Sequence, residues 1–137
     1  MNINYTIETF MARELITFQM DTPIETAMES FLNNKISGAP VLDDKGLLTG
    51  ILSEKDCMRT LFESSYYNNL GGLVEEYMSK NITTVNIHDT LSDVVDKFMS
   101  SRFRRFPVIE GEKLVGQISR RDVLRAIVLL SKEVDPA

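Results

Sequence analysis

The sequence predicts an α+β fold of two pseudo-symmetric repeats, each with the order β-α-β-β-α, packed sheet against sheet. Residues 10–18 match 77–85 at a shift of 67, and beyond a polar turn the shift becomes 66. The run "LLTGILSEKD" at 47–56 is closely copied by "KLVGQISRRD" at 113–122. Short β-branched runs alternate with amphipathic segments in both copies. A repeat of some 60 residues is marginally stable alone, so the two are expected to share a core.

The first strand of each repeat is predicted within 15–20 and 82–87, which are short β-branched and apolar runs. Thr-Pro at 22–23 and Asp-Thr at 89–90 indicate where the next helices begin. Helical spacing gives each helix one apolar stripe. The stripes are Ile24, Ala27, Met28, Phe31 and Leu32, then Leu91, Val94, Val95, Phe98 and Met99.

Two hairpins follow these helices, and a second helix closes each repeat. The hairpin strands are predicted at 39–43 with 47–53 and at 106–110 with 114–119. The buried face of the closing helix is predicted to carry Met58, Leu61 and Phe62 in one repeat and Val123, Leu124, Ile127 and Val128 in the other. The predicted organisation is repeat one at 7–62, a polar connector at 63–73 and repeat two at 74–131, together forming one module.

Composition restricts the class of protein. The 137 residues carry a net charge of −5, which argues against a general nucleic-acid binder. Cys57 is the only cysteine, so no intramolecular disulfide or cysteine-based metal cluster is expected. The start lacks the pattern of a signal peptide, and the longest apolar run, 126–130, is too short to cross a membrane. A cytoplasmic protein is expected.

The paired units, each with a Pro-Val strand and a Gly-x-x-Ser-x-x-Asp ending, resemble a tandem CBS-domain pair, or Bateman module, in a stand-alone CBS-domain protein. The resemblance covers residues 7 to 131. It implies clefts between the repeats that bind AMP, ADP, ATP, S-adenosylmethionine or NAD, with or without Mg²⁺ and with no required cofactor. The aspartate would hold ribose hydroxyls, serine and basic residues would meet phosphate, and strand backbone would frame the base.

The resemblance carries these roles onto two sets of residues. One set is Thr17, Ser37, Gly38, Ala39, Pro40, Ser53 and Asp56, and the other is Thr84, Arg104, Phe106, Pro107, Ser119, Arg121 and Asp122. The tetrads also read as capping boxes, which satisfy free helix N–H groups. Both roles are compatible, because a helix N-terminus favours anions.

The local net charge differs between the two sets of predicted site residues. Residues 100–125 hold seven basic and three acidic residues, a local charge of +4, whereas 33–59 holds four of each. The second set is therefore predicted to be the stronger nucleotide site, with a solvated basic face as the alternative. Phe103 is predicted to be core rather than a stacking platform, and Cys57 a small buried hydrophobe. No catalytic or metal role is predicted for His88.

The predicted function is a non-enzymatic sensor that binds an adenosyl ligand and signals to a partner protein in trans. The segment 123–134 has enough apolar positions to serve both the core and a homodimer contact. The alternative is a ligand-free dimerisation or protein-interaction module with vestigial clefts. No activated nucleophile or metal-binding carboxylate cluster is evident, so no enzymatic activity is expected. Nucleic-acid binding through the arginines is disfavoured by the net charge.

Overall fold

The computed structural model describes residues 5–63 and 71–132, and the chain divides into two units. The first-repeat unit is Ile16–Ile82, and the second-repeat unit combines Met1–Leu15 with Thr83–Ala137. Each unit holds a three-stranded mixed sheet with helices, so the predicted α+β fold is confirmed. Residues 64–70, which belong to the predicted connector, lie outside the described residues.

The first-repeat unit follows the predicted element order, with a short extra helix from the connector side. Its elements are β1 Phe18–Gln19, α1 Ile24–Asn34, β2 Gly38–Leu42, β3 Leu48–Ser53, α2 Glu54–Met58, α3 Thr60–Glu63 and α4 Val74–Tyr77. The predicted closing helix is thus divided into α2 and α3, with Arg59 between them.

The second-repeat unit has the same order, preceded by a 3₁₀ turn at Ile7–Thr9. Its elements are β4 Val85–Asn86, α5 Leu91–Met99, β5 Arg105–Glu110, β6 Lys113–Ser119 and α6 Arg120–Ser131. None of the described helices is both long and apolar enough to cross a membrane.

Both sheets have the same topology. The first strand pairs in parallel with the second, with Phe18 beside Val41 and Val85 beside Val108. The second and third strands form an antiparallel hairpin in each unit. The starts of the first two strands and the end of the third therefore lie at one end of each sheet.

The segment that precedes the first strand of one repeat belongs to the unit that holds the sheet of the other repeat. Ala12 forms a bridge with Gln117 through hydrogen bonds of 2.8 and 2.9 Å, and Ser79 forms the equivalent bridge with Ile51. A Cβ atom on Gly116 would lie 2.6 Å from the carbonyl oxygen of Ala12. The equivalent Gly50 is also crowded, because an added Cβ atom would lie 2.6 Å from the Sδ atom of Met78. The repeated glycine thus lets a second backbone cross the sheet closely.

Each unit has its own hydrophobic core between sheet and helices. The first-repeat core includes Phe18, Ile24, Ala27, Phe31, Val41, Leu52, Val74, Tyr77 and Met78. The second-repeat core includes Ile7, Met11, Val85, Leu91, Val94, Phe98, Phe106, Val108, Ile118, Val123, Ala126 and Leu130. The segments 5–15 and 71–82 thus supply core side chains as well as backbone pairing.

The predicted buried faces of the closing helices are wrong in part. Val123 is buried and Ile127 half-buried, but several side chains predicted to be buried are exposed. These are Met58, Leu61, Phe62, Leu124 and Val128, together with Leu32 and Met99 from the predicted stripes of α1 and α5. The apolar stripe is wider than the part of each helix that the sheet covers, so its outer edge faces outward.

Two predicted helix starts also need correction. Pro23, rather than Thr22, is the N-cap of α1, and the Thr22 hydroxyl accepts a hydrogen bond from the Gln19 amide. Thr90, rather than Asp89, caps α5. Asp89 instead accepts from the Asn86 amide and closes the turn between strand and helix.

Candidate functional site

The predicted site residues of each repeat gather at one end of its own sheet. In the first-repeat unit Gly38 pairs with Ser53, and the Glu54 amide donates to the Ser37 carbonyl at 2.9 Å. In the second-repeat unit Arg105 pairs with Ser119, and the Arg120 amide donates to the Arg104 carbonyl at 3.0 Å. The strand register thus joins the start of the Pro-Val strand to the Ser-x-x-Asp tetrad.

The threonines lie at the same sheet ends. Thr17 directly precedes β1, and Thr84 directly precedes β4. Because β1 and β2 are parallel with Phe18 beside Val41, Thr17 lies at the level of Pro40. The same register places Thr84 at the level of Pro107. Each predicted set is therefore brought together within one unit.

The side chains in these sets differ in what they can offer. Ala39 and Phe106 are buried in the two cores, and Pro40 and Pro107 are buried beside them. Phe106 packs on Phe98 with ring centroids 4.4 Å apart. These four positions are buried as whole residues, so their side chains are closed to a ligand. The exposed and half-buried members are Thr17, Ser37, Gly38, Ser53, Asp56, Thr84, Arg104, Ser119, Arg121 and Asp122.

Both tetrads form capping boxes, as the spacing predicts. The Asp122 amide donates to the Ser119 hydroxyl at 3.1 Å, and the Ser119 amide donates to Asp122 Oδ2 at 2.9 Å. Ser53 and Asp56 make the same two bonds at the same distances. In each aspartate the cap engages the Oδ2 atom.

The partners of the equivalent arginines distinguish the two sites. Arg125 donates to Asp122 Oδ1 at 3.0 Å, and the side chain of this aspartate is only 16% exposed. Arg59 instead donates to the Tyr77 carbonyl at 2.6 Å and lies over the Tyr77 ring. Among the described residues, Asp56 therefore forms no ion pair.

The second-repeat site is strongly basic. Arg102, Arg104, Arg120 and Arg121 are exposed, and none of them forms an ion pair within residues 5–63 and 71–132. The Arg120 Nε atom donates to the Phe103 carbonyl at 3.0 Å, which ties the start of α6 to the segment before β5. The backbone contacts thus bring Arg104, Arg120 and Arg121 to the sheet end that carries Asp122.

Lys97 belongs to this neighbourhood, and sequence reasoning missed it. Its Nζ atom donates to the Thr84 carbonyl at 2.9 Å, which adds a cation at the start of β4. The only signal in the sequence is a lysine on the helix that also carries the apolar stripe. Spacing alone does not identify the carbonyl that it reaches.

Three other residues have defined places. Phe103 is 42% exposed, so its predicted burial is wrong, although its ring packs against Phe106 at 5.9 Å. Cys57 is buried as predicted, and burial raises the pKa of its thiol to about 11. His88 lies on the surface, 3.9 Å from Glu110. Within the described part of the chain no three His, Cys, Asp or Glu residues are placed to hold a metal ion.

Comparison with known protein families identifies the repeats. The family model described as the CBS domain matches residues 7–63 and again residues 74–129. The chain belongs to the CBS-domain family. It contains a CBS pair, as the sequence pattern predicts, and CBS pairs are generally regulatory rather than catalytic modules.

Solved CBS pairs have the same fold. The structure of CBSX2 in complex with AMP is 29% identical, has a TM-score of 0.81, and aligns over 93% of this chain and 98% of that one. The structure of the CBS-pair protein CBSX2 from Arabidopsis thaliana has a TM-score of 0.84 at 26% identity, over 96% of this chain and 99% of its own.

Curated relatives are often longer. The chain is 27% identical to the uncharacterised protein MJ1225 of Methanocaldococcus jannaschii, with 91% of this chain aligned to 44% of that protein. It is 27% identical to the 5'-AMP-activated protein kinase subunit gamma-3 of Bos taurus, with 90% of this chain aligned to 26% of that subunit. The chain thus spans less than half the length of these two relatives.

Proposed function

We propose that this CBS pair is a non-enzymatic regulatory module whose second-repeat site binds an adenine nucleotide. The observation that carries the proposal is the cluster of exposed arginines beside the half-buried carboxylate of Asp122. A solved relative of the same fold, CBSX2, is complexed with AMP. Arginine clusters favour phosphate, and a carboxylate accepts hydrogen bonds from the two ribose hydroxyls.

The roles of the residues follow from what each exposes. Asp122 Oδ1 would accept from ribose, while Arg104 and Arg121 would contact phosphate. The Ser119 hydroxyl already accepts the cap bond from the Asp122 amide, and its O–H remains able to donate to phosphate. Thr84, which is half-buried, would offer backbone groups to the base. The positive end of α6 adds to the attraction for an anion.

The first-repeat site would bind more weakly or prefer a ligand of lower charge. It offers Thr17, Ser37, Gly38, Ser53 and Asp56, but no comparable set of arginines. The local charge of 33–59 is zero, against +4 for 100–125. Coulomb attraction for a di- or triphosphate is correspondingly smaller, so the ranking of the two sites follows from charge.

Signalling would follow from differential affinity. A ligand that binds one arrangement of the module more tightly than another shifts the balance between them. We infer a homodimer through exposed helical side chains, with a separate partner protein that senses the nucleotide-bound state. S-adenosylmethionine and NAD remain competing ligands, with or without Mg²⁺ for the nucleotides.

Ligand-dependent thermal unfolding tests the proposal. The wild type is titrated with AMP, ADP, ATP, S-adenosylmethionine and NAD, with and without Mg²⁺. A ligand at a hundredfold its dissociation constant should stabilise the protein by about 2.7 kcal/mol, or roughly 5–15 °C. Asp122→Ala should abolish the shift for adenine nucleotides, and Asp56→Ala should leave most of it.

A matched control separates binding from capping. The Thr90–Asp93 capping box of α5 has the same two hydrogen bonds, at 2.9 and 3.1 Å, and lies outside both predicted sets. Asp93→Ala should lower the melting temperature slightly, through loss of the hydrogen bond from the Thr90 amide, yet retain the full ligand shift. Equal loss of the shift in Asp93→Ala and Asp122→Ala would contradict a direct ribose contact.

One observation favours the ligand-free alternative. The carboxylate of Asp122 is satisfied within the protein, because the capping box uses one of its oxygens and Arg125 occupies the other. An interaction module with vestigial sites would show no shift with any ligand at millimolar concentration, while dimerisation persisted. That result would assign the tetrads to helix capping alone.

A further inference from the structure

Equivalent arginines of the two repeats hold different partners. Arg125 donates to Asp122 Oδ1 at 3.0 Å. Arg59 donates to the Tyr77 carbonyl at 2.6 Å, and its guanidinium lies 5.3 Å from the centre of the Tyr77 ring. The shift of 66 that relates Arg59 to Arg125 also relates Asp56 to Asp122. One exposed side chain thus adopts two arrangements, one on the site carboxylate and one on the segment that crosses the sheet.

Phe10 offers Arg125 the same second arrangement. It corresponds to Tyr77 by the shift of 67, so the position is aromatic in both repeats. The segment after each of these residues crosses its sheet in the same register, because the bridges of Ala12 and Ser79 are formed with equivalent strand residues. Within the described part of the chain no hydrogen bond reaches the Phe10 carbonyl. The half-buried Phe10 therefore has both groups that hold the arginine in the other unit, a backbone carbonyl and an aromatic ring.

The two arrangements of the arginine are of comparable strength. The side chain of Arg125 is 57% exposed in its ion pair with Asp122, and exposed ion pairs are weak. A charge-assisted hydrogen bond to a carbonyl, together with a cation–π contact at an exposed site, stabilises by a similar amount. A ligand hydroxyl that competes for Asp122 Oδ1 is therefore sufficient to shift the population from one arrangement to the other.

We propose that Arg125 is a switch, which leaves Asp122 for the carbonyl and ring of Phe10 when a ligand donates to Asp122 Oδ1. The inference rests on the nucleotide site of the proposed function and deepens it by stating how occupancy of that site is relayed. The transfer fastens residues 5–15, which we call the leading segment, to α6. Since Ile7 and Met11 of this segment are core residues, the ligand thereby acts on the core of the second-repeat unit.

A difference between the helices offers a competing explanation for the two arrangements. Arg59 lies at the joint between α2 and α3, where its amide donates to the Asp56 carbonyl, three residues back, at 3.3 Å. Arg125 lies within the continuous helix α6. If the joint alone directed Arg59, an arginine within a continuous helix would not reach the crossing segment. A variant that frees Arg125 while α6 stays intact separates the two explanations.

Asp122→Asn frees Arg125 without any ligand. The asparagine oxygen still accepts from the Ser119 amide, so the cap is kept, but the neutral side chain no longer holds a guanidinium. In NMR spectra of the full chain the Arg125 Hδ protons should move upfield, because an aromatic ring shields protons above its face. Exchange of the Ala12 amide should slow by roughly twofold to fivefold, as expected for one exposed charged contact. Unchanged Hδ shifts and unchanged exchange in this variant would overturn the switch.

Phe10→Leu in the Asp122→Asn background is the matched control. Leucine removes the ring but keeps the backbone carbonyl, so the upfield shift of the Arg125 protons should disappear while the slower exchange at Ala12 remains. Arg125→Ala in the same background should remove the slower exchange as well. An upfield shift that persists without the ring, or slower exchange that persists without the guanidinium, would contradict the contact with the leading segment.

Titration with AMP connects the switch to the proposed function. Saturating AMP should produce both changes in the wild type and should leave Ala12 unchanged in Arg125→Ala, when exchange is compared with the amides of β5 and β6, which report general stabilisation by the ligand. Equal slowing at Ala12 in both proteins would show that the relay does not use Arg125 and would overturn the inference. If AMP does not bind by calorimetry while Asp122→Asn shows both changes, the proposed function fails and the switch stands.

Discussion

Asp56 and Asp122 have the same capping role, yet their second carboxylate oxygens have different surroundings. Arg125 engages Asp122, whereas its equivalent Arg59 reaches the Tyr77 carbonyl instead. In the second-repeat unit a ribose hydroxyl would thus have to compete with an internal ion pair. The same arginine places one more positive charge close to a bound phosphate.

The Arg125→Ala variant separates the competition of Arg125 for Asp122 from its attraction for a bound phosphate. We expect the affinity for adenosine, which lacks phosphate, to rise roughly twofold to fivefold, because an exposed ion pair of up to about 1 kcal/mol no longer competes for Asp122. Isothermal titration of adenosine and AMP measures this, and the gain for AMP should be smaller. Arg59→Ala is the control and should change neither affinity at the second-repeat site. A fall in adenosine affinity in Arg125→Ala would show that Arg125 orients the carboxylate for binding.

The hydrogen bonds of single side chains were predictable where the two partners are close in sequence. The capping boxes at 53–56 and 119–122 follow from a spacing of three residues, and both are confirmed. The partners of Arg59 and Lys97 lie 18 and 13 residues away, at backbone carbonyls that carry no residue-type signal. Sequence therefore predicted the composition of the sites but not which cation is already engaged.

Among the elements, the hairpin strands depend on their repeated glycines. Gly116→Ala would place a Cβ 2.6 Å from the Ala12 carbonyl oxygen, which is fixed by its bond with the Gln117 amide. We expect destabilisation of roughly 1–3 kcal/mol, because the crossing segment must move away. Urea unfolding followed by circular dichroism measures the change. Gly50→Ala should cost somewhat less, because its Cβ would lie 2.9 Å from the Ser79 carbonyl oxygen and its closer neighbour, the Met78 Sδ atom at 2.6 Å, belongs to a flexible side chain.

Gly38→Ala is a suitable control for this comparison. Its added Cβ would lie 3.3 Å from the Leu52 carbonyl oxygen, a tight contact that a movement of a few tenths of an ångström relieves, and its nearest neighbours both belong to β3. We expect it to cost less than Gly116→Ala. Equal stability of all three alanine variants would show that the segment around Ala12 is not held against β6 in solution.

The boundaries of most elements were predictable, but the covered part of each helix was not. Periodicity gives the direction of an apolar stripe, and Val94, Phe98 and Val123 are buried as predicted. The same stripes continue to Met99 and Leu124, which are exposed. The width of a helix that a three-stranded sheet can cover depends on tertiary packing, which periodicity does not encode.

At the scale of the whole molecule, the segment before the first strand of each repeat belongs to the unit that holds the other repeat's hairpin. Met11 and Met78 are equivalent by the shift of 67, and each packs into the core that contains the other repeat's hairpin. Self-similarity aligns such segments with each other but does not show which sheet each one joins. That choice is made by long-range contacts, so the sequence could predict the repeat but not the exchange.

Amide hydrogen–deuterium exchange in the full chain tests directly which sheet each of these segments joins. The Ala12 amide bonds to Gln117, and the Ser79 amide bonds to Ile51. Val108→Ala should accelerate exchange at Ala12 roughly tenfold or more while sparing Ser79, because a cavity in one core promotes opening of that unit. Val41→Ala, at the equivalent buried position, should do the reverse. Acceleration of Ala12 by Val41→Ala alone would place the leading segment with the first-repeat sheet, whereas equal acceleration at both amides in both variants would show that the two units open as one cooperative body.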